Sequence, residues 1–113
     1  MPATSAFAQC EKQFFARLHD FGYEPSVVYD VGAAHGSWSA VIADVYPDAQ
    51  YELFEPLASR DEVYRTQLDR RLEQYPNFRL HEFALSDKNG EAEFWRMSAS
   101  VASSLLAQSA PRE

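Results

Sequence analysis

Cysteine is almost missing from this sequence: Cys10 stands alone among 113 residues. No internal disulfide can form, and no Cys/His spacing resembles a zinc site. A reducing compartment fits best, and the cytoplasm is the expected location. Basic residues are also few, 10 Lys and Arg against 17 Asp and Glu, for a formal net charge of −7. Non-specific nucleic-acid affinity comes from clustered cations that release counterions, so this balance argues against a nucleic-acid partner. Long apolar runs are lacking too. No stretch approaches the roughly 20 apolar residues of a membrane helix, and residues 1–8 lack the basic segment and apolar run of a secretory leader. A soluble chain with no membrane partner is expected. Only four glycines occur, and two of them, Gly32 and Gly36, bound one five-residue stretch.

What is present suits one modest core, because the hydrophobic share of 46% and the charged share of 24% are those of an ordinary globular domain. Across residues 5–21, Phe7, Phe14, Phe15, Leu18 and Phe21 recur at helical spacing and Gly22 supplies a stop, which predicts an amphipathic helix with Cys10 at the core margin. After Pro25, the β-branched run over residues 26–31 reads as a buried parallel strand. Small residues interrupt it at Gly32-Ala33-Ala34-His35-Gly36, and Ser37 is a candidate cap for a helix running to about Tyr46. Pro47-Asp48 makes a turn, residues 51–54 a second strand, and Glu55-Pro56 its end. Residues 59–75 follow as a charged helix with a narrow stripe of Val63, Leu68 and Leu72; its mixed charges read as a solvated face. Pro76-Asn77 leads into a third strand over residues 78–85. Asp87-Lys88-Asn89-Gly90 and the alternation over residues 91–95 predict a hairpin appended to that strand. The organisation is thus a helix and lead-in over residues 1–25, an α/β half domain with a parallel sheet over 26–97, and a Ser/Ala-rich tail over 98–113.

The informative stretch is the one that closes the first strand, because ligands of open α/β sheets bind at the carboxyl ends of the strands. Glycines let a backbone approach a ligand closely, and unpaired N–H groups at a helix start favour an anionic group. A dinucleotide site expects Gly-x-Gly-x-x-Gly. Here the order is Asp-x-Gly-x-Ala-x-Gly, and Asp30 would repel a pyrophosphate while suiting a ligand with an ammonium and a sulfonium. Glu55 follows about 20 residues further on, the separation at which an acid reaches ribose hydroxyls. The plain alternatives are a strand-to-helix turn for the glycines, a polar strand end for Asp30 and a turn acid for Glu55. His35 reads as a solvated loop residue or helix-start donor, and His19 and His81 as surface or boundary residues. Trp95 and Met97 read as cover for an unfinished sheet edge.

At these residues the chain resembles the FkbM-type, S-adenosylmethionine-dependent methyltransferases. The matching blocks are Tyr29-Asp30-Val31-Gly32-Ala33, then Leu53-Phe54-Glu55-Pro56, then Ala84-Leu85-Ser86-Asp87 with Gly90; Ser103-Ser104-Leu105 adds a weaker match. The resemblance implies a Rossmann-like class I methyltransferase fold, represented here by about three parallel strands, flanking helices and the hairpin. It implies S-adenosyl-L-methionine as cofactor, held by Asp30, Gly32, Ala33, Gly36, Glu55, Pro56, Ala84, Leu85 and Ser86. The loop from Gly32 to Gly36 would wrap the methionine part, Glu55 would hold the ribose, and Ala84 to Ser86 would lie beside the adenine. A small-molecule or sugar hydroxyl is the implied acceptor; no metal is implied and no catalytic base is singled out. Ala34 stands where that family commonly has Asn and the wider class often Gly. The family continues with a strand bearing a Lys-Ile-Asp-Val-Glu-Gly-like motif, which this chain lacks, so little or no methyl transfer by the chain alone is expected. Two other readings stay open: a non-catalytic module that pairs its exposed sheet edge with another chain, a homo-oligomer included, and an NAD-binding oxidoreductase half.

Overall fold

A computed structural model describes residues 6–91 of the chain. Three helices and three strands alternate: α1 (Ala6–Asp20), β1 (Val27–Val31), α2 (Ser37–Ala43), β2 (Gln50–Phe54), α3 (Glu62–Gln74) and β3 (Phe78–His81). The strands form one parallel sheet in the order β1-β2-β3, with Asp30 opposite Leu53 and Leu53 opposite Leu80. This is a small α/β domain. Parallel neighbours need a crossover, and α2 and α3 supply the two.

Side chains alternate across a strand, so the sheet has two distinct faces. Val28 and Asp30, Tyr51 and Leu53, and Phe78 and Leu80 share one face. Onto it pack Ile42 and Ala43 of α2 and Tyr64 and Leu68 of α3, forming the core with Tyr46, Ala49 and Leu57. Tyr51 is fully buried there, and its hydroxyl donates to the Tyr46 carbonyl at 2.9 Å. Burial pushes its phenol well above the ordinary tyrosine range. The other face carries Val27, Tyr29 and Val31 of β1, Gln50, Glu52 and Phe54 of β2, and Arg79 and His81 of β3. Among the described residues no helix covers it: Val27, Tyr29 and Val31 keep 48%, 63% and 60% of their surface.

Several boundaries depart from the sequence reading, each for a physical reason. β3 stops at His81, not Leu85, because a strand lasts only as long as its partner, and β2 ends at Phe54 opposite His81. Residues 84–86 are therefore irregular loop. α3 starts at Glu62, not Ser59, because Asp61 caps it, accepting from the N–H groups of Val63 and Tyr64 at 3.1 Å. That start turns Tyr64 inward and leaves Val63 exposed. α2 ends at Ala43, where the Asp44 and Val45 N–H groups reach back only three residues, to Val41 and Ile42, and tighten the last turn. Its cap is Gly36, not Ser37, whose side chain makes no capping bond. α1 falls within the predicted span, but Phe7, Phe14 and Phe21 are exposed, as is Cys10. The helix docks through Phe15, whose ring meets Trp38 edge-on, and through a Lys12–Asp44 ion pair of 3.1 Å. From Ala92 onward, the predicted hairpin strand, Trp95, Met97 and Ser103-Ser104-Leu105 lie outside the described residues.

Candidate functional site

β1 and β2 end side by side, so the loops that leave them meet at the carboxyl edge of the sheet. The chain beyond Val31 turns over the end of β2: the N–H groups of Gly32 and Ala33 both donate to the Phe54 carbonyl, at 2.9 and 3.0 Å. Gly32 has φ 75° and Gly36 φ 77°, backbone shapes that favour glycine. Gly36 is confined by space as well, since a Cβ there would lie 3.2 Å from Arg71 Cγ and 3.2 Å from Leu68 Cδ2. Around Gly32 nothing lies within 4 Å of that position, so the backbone is open to close approach. Ala34 also adopts a positive φ, 52°. Asn and Gly enter that region most readily, so an alanine there is strained.

Asp30 is only 8% exposed, and its Oδ2 accepts a 2.7 Å bond from the Ser39 hydroxyl on α2. Burial raises its carboxyl above the ordinary aspartate range; hydrogen bonding from Ser39 opposes this, and the carboxylates of Glu55 and Glu11 add to it. Ser39 is itself fully buried, a partner that the sequence reading missed. The available signal was a serine within the small, inward side of α2 beside Ala40 and Ala43, where an unpartnered hydroxyl would be costly.

Glu55, 6% exposed, clasps the two loops together. Its Oε1 accepts from the Ala34 N–H at 2.9 Å and its Oε2 from the Leu57 N–H at 3.0 Å. Its own N–H donates to His81 at 3.0 Å, so all three strand ends converge on this residue. Each carboxylate oxygen has two acceptor positions, so these bonds leave capacity for further donors. Pro56 is half-buried and Ala33 is buried.

Asp30, Gly32, Ala33, Gly36, Glu55 and Pro56 are thus brought together. Ala84, half-buried, and Leu85 and Ser86, both exposed, lie in the loop that leaves β3 three residues beyond the Glu55 contact at His81. Ser86 bonds only locally, to Asp87 at 3.3 Å. His35 meets the Tyr64 ring edge-on at 4.8 Å, a packing role. His81 stacks on Phe54 at 4.8 Å, with its Nε2 3.6 Å from Glu52. An open depression of about 360 Å³ lies outside β1, lined by Tyr29, Asp30, Val31, Gly32 and Trp38. Among the described residues no group of acids, histidines and cysteine is placed to hold a metal, and no helix is long and apolar enough to cross a membrane. Comparison of the chain with protein-family models, curated proteins and solved structures finds no match.

Proposed function

We propose that this chain forms the cofactor-binding part of an S-adenosylmethionine-dependent methyltransferase of the Rossmann-like class I kind, acting on a small-molecule or sugar hydroxyl. The observation that carries the reading is the meeting of a buried Asp30, an open glycine backbone at Gly32 and a buried Glu55 at the carboxyl edge of a parallel sheet. Buried acids away from cations cost stability, and such groups concentrate where a ligand supplies the missing charge or donors. Asp30 fits the two cationic groups of the methionine part, ammonium and sulfonium, and the remaining acceptor positions on Glu55 fit ribose hydroxyls. Gly32 to Gly36 would surround the methionine part, Glu55, with Pro56 next to it in the chain, would take the ribose, and Ala84 to Ser86 would border the adenine.

When bound, S-adenosylmethionine would supply an electrophilic methyl on its sulfonium: transfer to a hydroxyl acceptor would form the C–O bond as the C–S bond breaks, leaving the neutral thioether and releasing the hydroxyl proton. The chain's own share is positioning: Glu55 fixes the loop through Ala34, and Ser39 fixes Asp30. A second reading, a non-catalytic module completed by another chain or a second copy, is favoured by one observation, the uncovered sheet face with Val27, Tyr29 and Val31 exposed.

Calorimetric titration with S-adenosylhomocysteine, with NAD for comparison, tests the first reading. Saturable binding of the former alone, weakened in Glu55→Gln, is expected. A folded chain that binds neither, or NAD alone, overturns it. Gln is the informative replacement because it keeps one acceptor for the loop, whereas Ala would strand two backbone N–H groups.

A further inference from the structure

The depression outside β1 has an unusual lining for so small an area. Trp38 of α2 forms one side and the Asp30 end of β1 another, and none of the five lining residues is a cation. The indole is held from two directions: its Nε1–H donates to the Glu11 carboxylate on α1, and the Phe15 ring meets it edge-on at 6.1 Å and 85°. The Glu11 carboxylate on the indole N–H and Asp30 at the strand end put two acids at this one place. A fixed indole beside concentrated negative charge is the chemistry that recognises an onium group, because the face of tryptophan attracts cations more strongly than other rings do.

We propose that this depression is an onium-recognition site, with Trp38 as its aromatic wall and Asp30 as its counter-charge, giving preference to the sulfonium donor over the neutral thioether. The inference rests on the cofactor reading above and adds a specificity element to it. S-adenosylmethionine and S-adenosylhomocysteine share the adenosine and the amino-acid groups and differ at sulfur in one methyl and one positive charge. A site that attracts that charge releases the spent product in favour of fresh donor. Glu11 acts through Trp38 as a positioning residue.

Affinities of both compounds for the wild-type chain and for Trp38→Leu, Trp38→Phe and Asp30→Asn test this. The preference for the sulfonium compound is expected to fall about three- to tenfold in Trp38→Leu, the range for a partly desolvated cation–aromatic contact, and by less in Trp38→Phe. Asp30→Asn retains the Trp38 packing and carries the test if the leucine variant does not fold. Equal weakening of both compounds, or none, overturns the proposal. A second arm titrates trimethylsulfonium while following the indole N–H resonance that Trp38→Phe removes; a saturable shift is expected. Adenosyl compounds bound without sulfonium preference and without that shift would remove the onium site and leave the methyltransferase reading. A trimethylsulfonium shift without adenosyl binding would remove the methyltransferase reading and leave the onium site. Silence in both arms would overturn both.

Discussion

The two faces of this sheet are built from the same three strands and meet opposite fates. On one, Tyr51, Leu53 and Phe78 interlock with Ile42, Tyr64 and Leu68 in a closed core. On the other, Phe54 is buried in contact with the rings of Tyr29, His81 and Phe83, while Val27, Tyr29 and Val31 are exposed. Parallel sheets occur almost only with both faces covered. The contrast teaches that stability and unfinished surface are segregated here by strand alternation. The candidate site sits at the carboxyl rim where both faces end.

The largest expected effect probes the closed face. Leu53→Ala should cost about 2–5 kcal/mol in urea unfolding, because a fully buried leucine leaves a cavity, whereas Val31→Thr on the open face should change stability by about 0.5 kcal/mol or less. Equal costs would erase the contrast and mean that the open face is covered in solution; sedimentation across a concentration series would then tell a second copy from the chain's own residues.

Next in size is the rim. Glu55→Ala should lose about 1–3 kcal/mol, since two N–H groups lose their acceptor, and Glu55→Gln distinctly less. Ala34→Gly should gain about 0.5–1 kcal/mol: relief of a left-handed alanine is worth about 1–2 kcal/mol, and the flexibility of glycine takes back roughly half. The fourth test is the pH dependence of Asp30→Asn. The folded-state carboxyl titrates above 3.8, so ionised Asp30 penalises the folded state; the favourable contribution is full below pH 3.8 and is lost as pH rises through the raised value. Asp30→Asn should therefore be the more stable protein at neutral pH, with its advantage gone below about pH 3.8. An advantage that persists in acid would show that burial of this carboxylate is not the cause.

Most of the fold was legible in the chain. The β-branched run before Gly32 and the Glu55-Pro56 stop placed β1 and β2 within one residue of their observed bounds, because such signals act locally. What was not legible depended on partners. The length of β3 is set by β2, the inward turn of Tyr64 by the Asp61 cap, and the exposure of Phe7, Phe14 and Phe21 by how little α1 has to rest on. At the site, the positions of Asp30 and Glu55 followed from strand ends. The Ser39 bond and the Ala34 half of the Glu55 clasp did not, since both join residues that only the crossover brings together, whereas the Leu57 half is a local contact.

The two glycines of the loop answer to different masters, and a saturation library would separate them. Position 32 is restricted by backbone shape alone, with open space where a side chain would begin, so Asn and Asp, which enter the left-handed region most readily, should survive there at reduced frequency. Position 36 is restricted twice, by the same shape and by Arg71 and Leu68 pressing from α3. It should return glycine almost alone, because an added methyl must push the Arg71 and Leu68 side chains aside by a few tenths of an ångström on top of the cost of the left-handed backbone, and so would loosen the seat of this loop on α3.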